Sequence, residues 1–140
     1  MTTHSNNTQN IQVGMAIPEL ELPPVSRATL ALYAGASGDH NPMHIDSDFA
    51  KKAGMPDVFA HGMLPMAYLG RLLTNWLPQS QLRKFSNRFA AITNIHDVIT
   101  CSGEVVDITE NGDEKIAKLK ITAKNQDGVK TLVGEAEVQI

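Results

Sequence analysis

A chain of 140 residues, 42% hydrophobic and 19% charged, has the size and make-up of one folded domain with a sizeable core. Its net charge of −3, with lysines and arginines scattered and no basic stripe among aromatics, argues against nucleic acid as a partner. Cys101 is the one cysteine, which excludes an internal disulfide and a cysteine-ligated metal.

Residues 1–10 are polar and rich in Thr, Asn and Ser, without the apolar core of a secretory signal, and read as a flexible arm. The remaining residues, 11–140, form the domain. Ile11–Ile17 reads as a short extended segment, followed by the proline-punctuated stretch Pro18–Pro24. Ser26 is placed to cap a helix over Arg27–Ala34, with Leu30, Leu32 and Tyr33 available for packing. A loop spans Ala36–Asp46, after which Ser47 is the expected cap of a short helix that Gly54 ends.

From Met63 to Trp76 apolar residues occupy nearly every face at helical spacing, which predicts a buried helix with Pro65 in its first turn. The stretch Met63–Leu77 is interrupted by Arg71, Thr74 and Asn75, too short and too polar for a membrane span, so the expectation is a cytoplasmic protein with no membrane contact. Beyond it the period changes to two. Ala117, Leu119, Ile121 and Ala123 alternate with Lys118, Lys120, Thr122 and Lys124. Leu132, Ala136, Val138 and Ile140 alternate with Val133, Glu135, Glu137 and Gln139, and Ile99, Cys101 and Val105 with Thr100, Ser102 and Glu104. Asn111-Gly112 and Asp127-Gly128 are hairpin turns. The economical fold is α+β: one antiparallel sheet of about five strands wrapped on a long apolar helix.

The chemistry concentrates in Gly38-Asp39-His40-Asn41-Pro42-Met43-His44 and in His61-Gly62-Met63. The first puts a carboxylate and an imidazole on a turn forced by glycine and proline. The second puts a glycine amide at a helix start, where an oxyanion can be held. By themselves Asp and His in such a loop are as readily turn-formers making local hydrogen bonds. His61 reads first as a structural residue that positions the loop, and His40 as exposed and incidental. His4 and His96 pair with no Cys or Glu at metal spacing, so no metal site is expected.

Tyr33-Ala34-Gly35-Ala36-Ser37-Gly38-Asp39-His40-Asn41-Pro42-Met43-His44-Ile45-Asp46, with Phe49-Ala50 and His61-Gly62-Met63 downstream, resembles the hydratase signature of the MaoC-like family. The resemblance runs from about residue 12 to the end of the chain. It implies a single hot-dog domain and the activity of an (R)-specific enoyl-CoA hydratase or (3R)-hydroxyacyl-thioester dehydratase. Asp39 and His44 match the family's catalytic pair. Asn41 matches a loop residue that holds the reactive geometry, and Gly62 the glycine whose N–H binds the thioester oxygen. The acyl chain is expected along Met63, Met66, Gly70 and Leu73. Ile92 and His96-Asp97 depart from the family's Pro and Gly-Asp after the strand ending at Phe89.

The resemblance further implies that no metal or organic cofactor is needed, that the substrate is an acyl-CoA or acyl-carrier-protein thioester, and that the chain dimerises, with itself or with a related subunit. Two other readings stand beside it. One is a non-catalytic acyl-binding subunit, against which the intact Asp39/His44 pair argues. The other is a hot-dog thioesterase, but those carry a carboxylate on the central helix and Met63–Leu77 has none.

Overall fold

The computed structural model describes residues 10–140, so the expected arm falls, but for its last residue, outside the described part. The elements in chain order are β1 (Leu20–Glu21), α1 (Arg27–Ser37), α2 (Ser47–Lys52), α3 (Met63–Trp76), β2 (Leu82–Phe89), β3 (Thr100–Asn111), β4 (Glu114–Lys124) and β5 (Lys130–Gln139). All strand pairs are antiparallel and the sheet order is β1-β3-β4-β5-β2. Helix α3 lies against all five strands, which is the hot-dog arrangement.

The core is built as the alternation requires. Ala117, Leu119, Ile121 and Ala123 of β4 are each 0% exposed and meet Leu64, Leu69, Leu72, Leu73 and Trp76 of α3 in one cluster. Irregularities at Val105/Asp107 in β3 and at Leu82/Lys84 in β2 bend the sheet round the helix. Gly134 of β5 is required by a close approach: a Cβ there would stand 2.2 Å from the Ser86 carbonyl oxygen of the neighbouring strand β2. Gly112 and Gly128 supply the positive φ of the two hairpin turns.

Several expectations are corrected. The segment Ile11–Ile17 forms no regular strand; an isolated bridge from Ala16 to Glu104 ties it to β3, and ladder pairing starts only at Leu20, opposite Cys101. The prolines on either side keep that strand to two residues. Ser26 does cap α1, accepting from the Thr29 N–H at 3.0 Å, but the helix continues past Ala34 to Ser37. Leu32 is 77% exposed, because two residues along a helix from buried Leu30 is nearly the opposite face. The cap of α2 is Asp46, whose carboxylate accepts from the N–H groups of Asp48 and Phe49 at 3.0 and 3.2 Å. Ser47 is the first helical residue and donates its hydroxyl to Asp57 instead.

Helix α3 has the predicted bounds but is not buried all round. Met63, 52% exposed, begins an open stripe that continues through Ala67, Arg71 and Asn75. Tyr68, passed over in the sequence pattern, is buried in its place. The loop after β2 settles the departure at His96. This residue has φ 70°, the left-handed conformation a glycine would take freely.

Candidate active site

The loop that carries Asp39 and His44 is held by its own side chains. Gly38, at φ 77°, ends α1 and turns the chain outward. The Asn41 N–H then donates to Asp39 Oδ1 at 3.2 Å, and the Met43 N–H to Asn41 Oδ1 at 3.1 Å. These are two successive side-chain turns of the kind Asp and Asn favour. Pro42 opens a single 3-10 turn, Pro42–His44, that delivers the imidazole. Asp39 stays exposed to solvent, whereas His44 is only 9% exposed.

The structure fixes the orientation of the His44 ring. Nδ1 lies 2.7 Å from the carbonyl oxygen of Phe59. A carbonyl can only accept, so Nδ1 carries the proton and neutral His44 presents a lone pair on Nε2. The Phe59 ring meets the imidazole edge-on, with centroids 5.0 Å apart. On its other contact His44 stacks on His61, at 4.1 Å and 30° between planes. One carboxylate oxygen of Asp39 and one ring nitrogen each of His44 and His61 lie within 4.8 Å of one another. Two hydrogen bonds of about 2.8 Å meeting at a water span roughly 4.5 Å, so one water fits between Asp39 and His44.

Gly62 precedes the first residue of α3, with φ −56° and ψ −33°. Its N–H meets no acceptor among the described residues and adds to the positive end of the helix. Gly62 lines a cavity of about 370 Å³ walled by Pro65, Phe89, Ile92 and Thr93. A Cβ at Gly62 would press on the Phe89 ring at 3.0 Å, so glycine keeps this approach open.

The remaining expected site residues divide. Asn41 has its side-chain oxygen committed to the turn. Met63 is exposed, Met66 and Gly70 are half-buried, and Leu73 is buried in the core. None of these four lines the cavity beside Gly62. A Cβ built on Gly70 would meet nothing within 4 Å, so open space lies there and close helix–sheet packing does not account for this glycine. His40 is exposed, as expected.

Three features escaped the sequence reading. The Phe59 carbonyl is a backbone group and leaves no side-chain signal. Tyr33 packs edge-on to His61 at 4.9 Å, and burial, then the charge of Asp39, push its phenol above its ordinary range. The wall from Phe89 to Thr93 was legible only as a departure from the family pattern at Ile92. Elsewhere, burial pushes the Cys101 thiol up to about 12, which leaves it inert as a nucleophile. The Asp39, His44 and His61 cluster has the donor atoms of a metal site. Its two rings are stacked, however, so their lone pairs run in nearly parallel planes and converge poorly on one ion.

Known proteins share this fold and much of this sequence. Residues 10–127 match the family described as MaoC like domain. The chain is 32% identical over 115 residues to an (R)-specific enoyl-CoA hydratase of Aeromonas caviae, covering 81% of this chain and 84% of that one. It is 31% identical over 134 residues to the fatty acid synthase subunit beta of Saccharomyces cerevisiae, covering 94% of this chain but spanning only 6% of that subunit. Among solved structures, the (R)-hydratase from A. caviae involved in PHA biosynthesis superposes with a TM-score of 0.83 at 29% identity, covering 94% of this chain and 98% of that one. The ChsH1-ChsH2 complex from Mycobacterium tuberculosis gives a TM-score of 0.78 at 25% identity, covering 92% and 98%. With its sheet, its helix and its Asp39–His44 loop in place, the chain belongs to the MaoC-like family of hydratases and dehydratases.

Proposed function

We propose that this protein is a hydro-lyase that reversibly adds water to trans-2-enoyl thioesters, giving (3R)-3-hydroxyacyl thioesters. The observation that carries it is the placing of the Asp39 carboxylate and the His44 ring within 4.8 Å of each other, on the loop whose histidine is anchored at Phe59, three residues before Gly62. Water sits between the carboxylate and Nε2 of neutral His44. As the oxygen attacks Cβ, His44 takes one proton of the water and Asp39 orients the molecule through the other. The imidazolium, stabilised by the nearby carboxylate, then returns its proton to Cα. No proton is gained or lost overall.

The electrons pushed onto the thioester oxygen are met by the Gly62 N–H at the start of α3. A donor of this kind is worth about 3–4 kcal/mol in the transition state. The acyl chain runs along α3 past Met63, Met66, Gly70 and Leu73, where the space beside Gly70 supports the assignment. The cavity walled by Phe89, Ile92 and Thr93 takes the arm that joins the thioester to coenzyme A or to a carrier protein. Purified protein incubated with crotonyl-CoA and longer enoyl thioesters tests the reading. Loss of the enoyl absorbance with a (3R) alcohol as product supports it. Folded protein inert on both coenzyme A and carrier thioesters, or one that releases free thiol, refutes it.

Assembly follows from the sheet. Strand β2 is paired with β5 on one side and is a far longer edge than the two-residue β1. A homodimer joined along this edge pairs its free backbone groups. Lys84 and Arg88 on the same strand bring like charges to a self-paired seam, which favours the alternative of a related subunit with an acidic edge. Sedimentation of the chain alone separates the two, since a stable monomer leaves the heterodimer.

A further inference from the structure

His61 is used by neither step of that reaction, yet the structure gives it contacts to every part of the site. It is 1% exposed. Its Nε2 lies 3.0 Å from the backbone carbonyl of Asp39, and because a carbonyl only accepts, the proton is on Nε2. The face of the ring supports His44 in the 4.1 Å stack, and Tyr33 closes against it edge-on. The residue that follows is Gly62. The His61 carbonyl accepts from the Leu64 N–H at 3.0 Å, so the backbone of His61 is locked into the start of α3.

The same ring leaves Nδ1 buried and without a hydrogen-bond partner among the described residues. An unpaired buried acceptor is destabilising, so the ring is a poor choice for stability alone. What it does supply is geometry. It ties the backbone of the carboxylate residue, the face of the base and the oxyanion donor to one rigid body.

We propose that His61 is a positioning residue for this site, holding Asp39 through its Nε2–H and the His44 ring by stacking. The inference rests on the hydratase reading, and it concerns alignment rather than proton transfer. Misplacement of a catalytic group by about 1 Å can lower the rate by a factor of roughly 100 while leaving substrate binding alone. The donor and the stack can be removed separately. H61F keeps a ring against His44 and loses the hydrogen bond to Asp39. H61Q keeps an N–H donor at similar reach and loses the stack.

The wild-type assay comes first, because activity on enoyl thioesters tests the hydratase reading independently. With that in hand, H61F is expected to fold, to keep KM within about threefold and to lose kcat by roughly 10–100-fold. H61Q is expected to recover part of the kcat lost in H61F. Folded H61F with kcat within twofold of wild type overturns the proposal. So does a loss in both variants equal to that of H44A, which would make His61 a catalytic residue. Nitrogen NMR of the wild-type imidazoles needs neither turnover nor a folded variant. The proposal requires His61 as the Nε2–H tautomer at neutral pH, and an Nδ1–H tautomer overturns it.

Discussion

The backbone carbonyl of Phe59 accepts the Nδ1–H of His44 at 2.7 Å, and this contact leaves Nε2 as the ring nitrogen with a free lone pair. In the proposed reaction Asp39 and His44 act on one water as a pair rather than as two independent groups. Each of D39A and H44A should lower kcat/KM by roughly 100–10,000-fold. The double variant should fall within about tenfold of the worse single, because removing either partner already dismantles the water site. Losses that add in full would show that the two act on different steps.

The space beside Gly70 separates binding from folding. G70A meets nothing within 4 Å, so helix propensity alone acts and should raise stability by about 1 kcal/mol, or roughly 3 °C in Tm. G70F fills the space and should cut kcat/KM for long enoyl thioesters by about 10–200-fold relative to crotonyl-CoA. I92W narrows the other cavity and should raise KM for all chain lengths alike. A uniform loss in G70F with a lowered Tm would place the acyl chain elsewhere.

His96 holds a left-handed φ of 70° where the family pattern has glycine. That conformation costs an ordinary residue about 1–2 kcal/mol, of which glycine's greater freedom when unfolded takes back about 0.5–1 kcal/mol. H96G should therefore raise stability by about 0.5–1 kcal/mol with kcat unchanged. Thermal unfolding of the two proteins decides it, and an equal or lower Tm would mean that the ring makes a compensating interaction.

Asp57 joins α1 to the loop after α2. It accepts from the Val58 N–H at 2.7 Å, from the Ser47 hydroxyl at 2.9 Å and from Arg27. In that order these hold its carboxyl below the ordinary value of 3.8. A group whose pKa is lowered by folding stabilises above its unfolded value and loses that contribution as pH falls through the folded one. D57N should therefore lower Tm at neutral pH, and the gap to wild type should close below a pH of about 4. A gap that persists at low pH would assign the loss to packing.

How far the sequence could be read depended on the range of the interaction. The bounds of α3 and the inner face of β4 were legible because period 3.6 and period 2 are local properties of the chain. Asp46 displaced Ser47 as a cap because Asp57, ten residues on, recruits the serine hydroxyl. The open stripe on α3 was hidden because a list of apolar residues does not say which sides a single sheet reaches. Asp39 and His44 stood out by spacing and by resemblance. The carbonyl that orients His44 comes from Phe59, and only the fold brings it there.

The segment Phe59–Gly62 carries more than one duty. The Phe59 carbonyl orients His44, and Gly62 carries the N–H proposed for the oxyanion. Between them the Ala60 N–H donates to the Thr93 carbonyl at 2.8 Å, beside an isolated bridge from Phe59 to Asn94. The carbonyl that holds His44 and the N–H of Gly62 thus lie on one short length of backbone, moored at Thr93–Asn94 and, through His61 Nε2, at Asp39. A substitution that loosens the pairing at Thr93–Asn94 should therefore disturb the hold on His44 and the placing of the Gly62 N–H together.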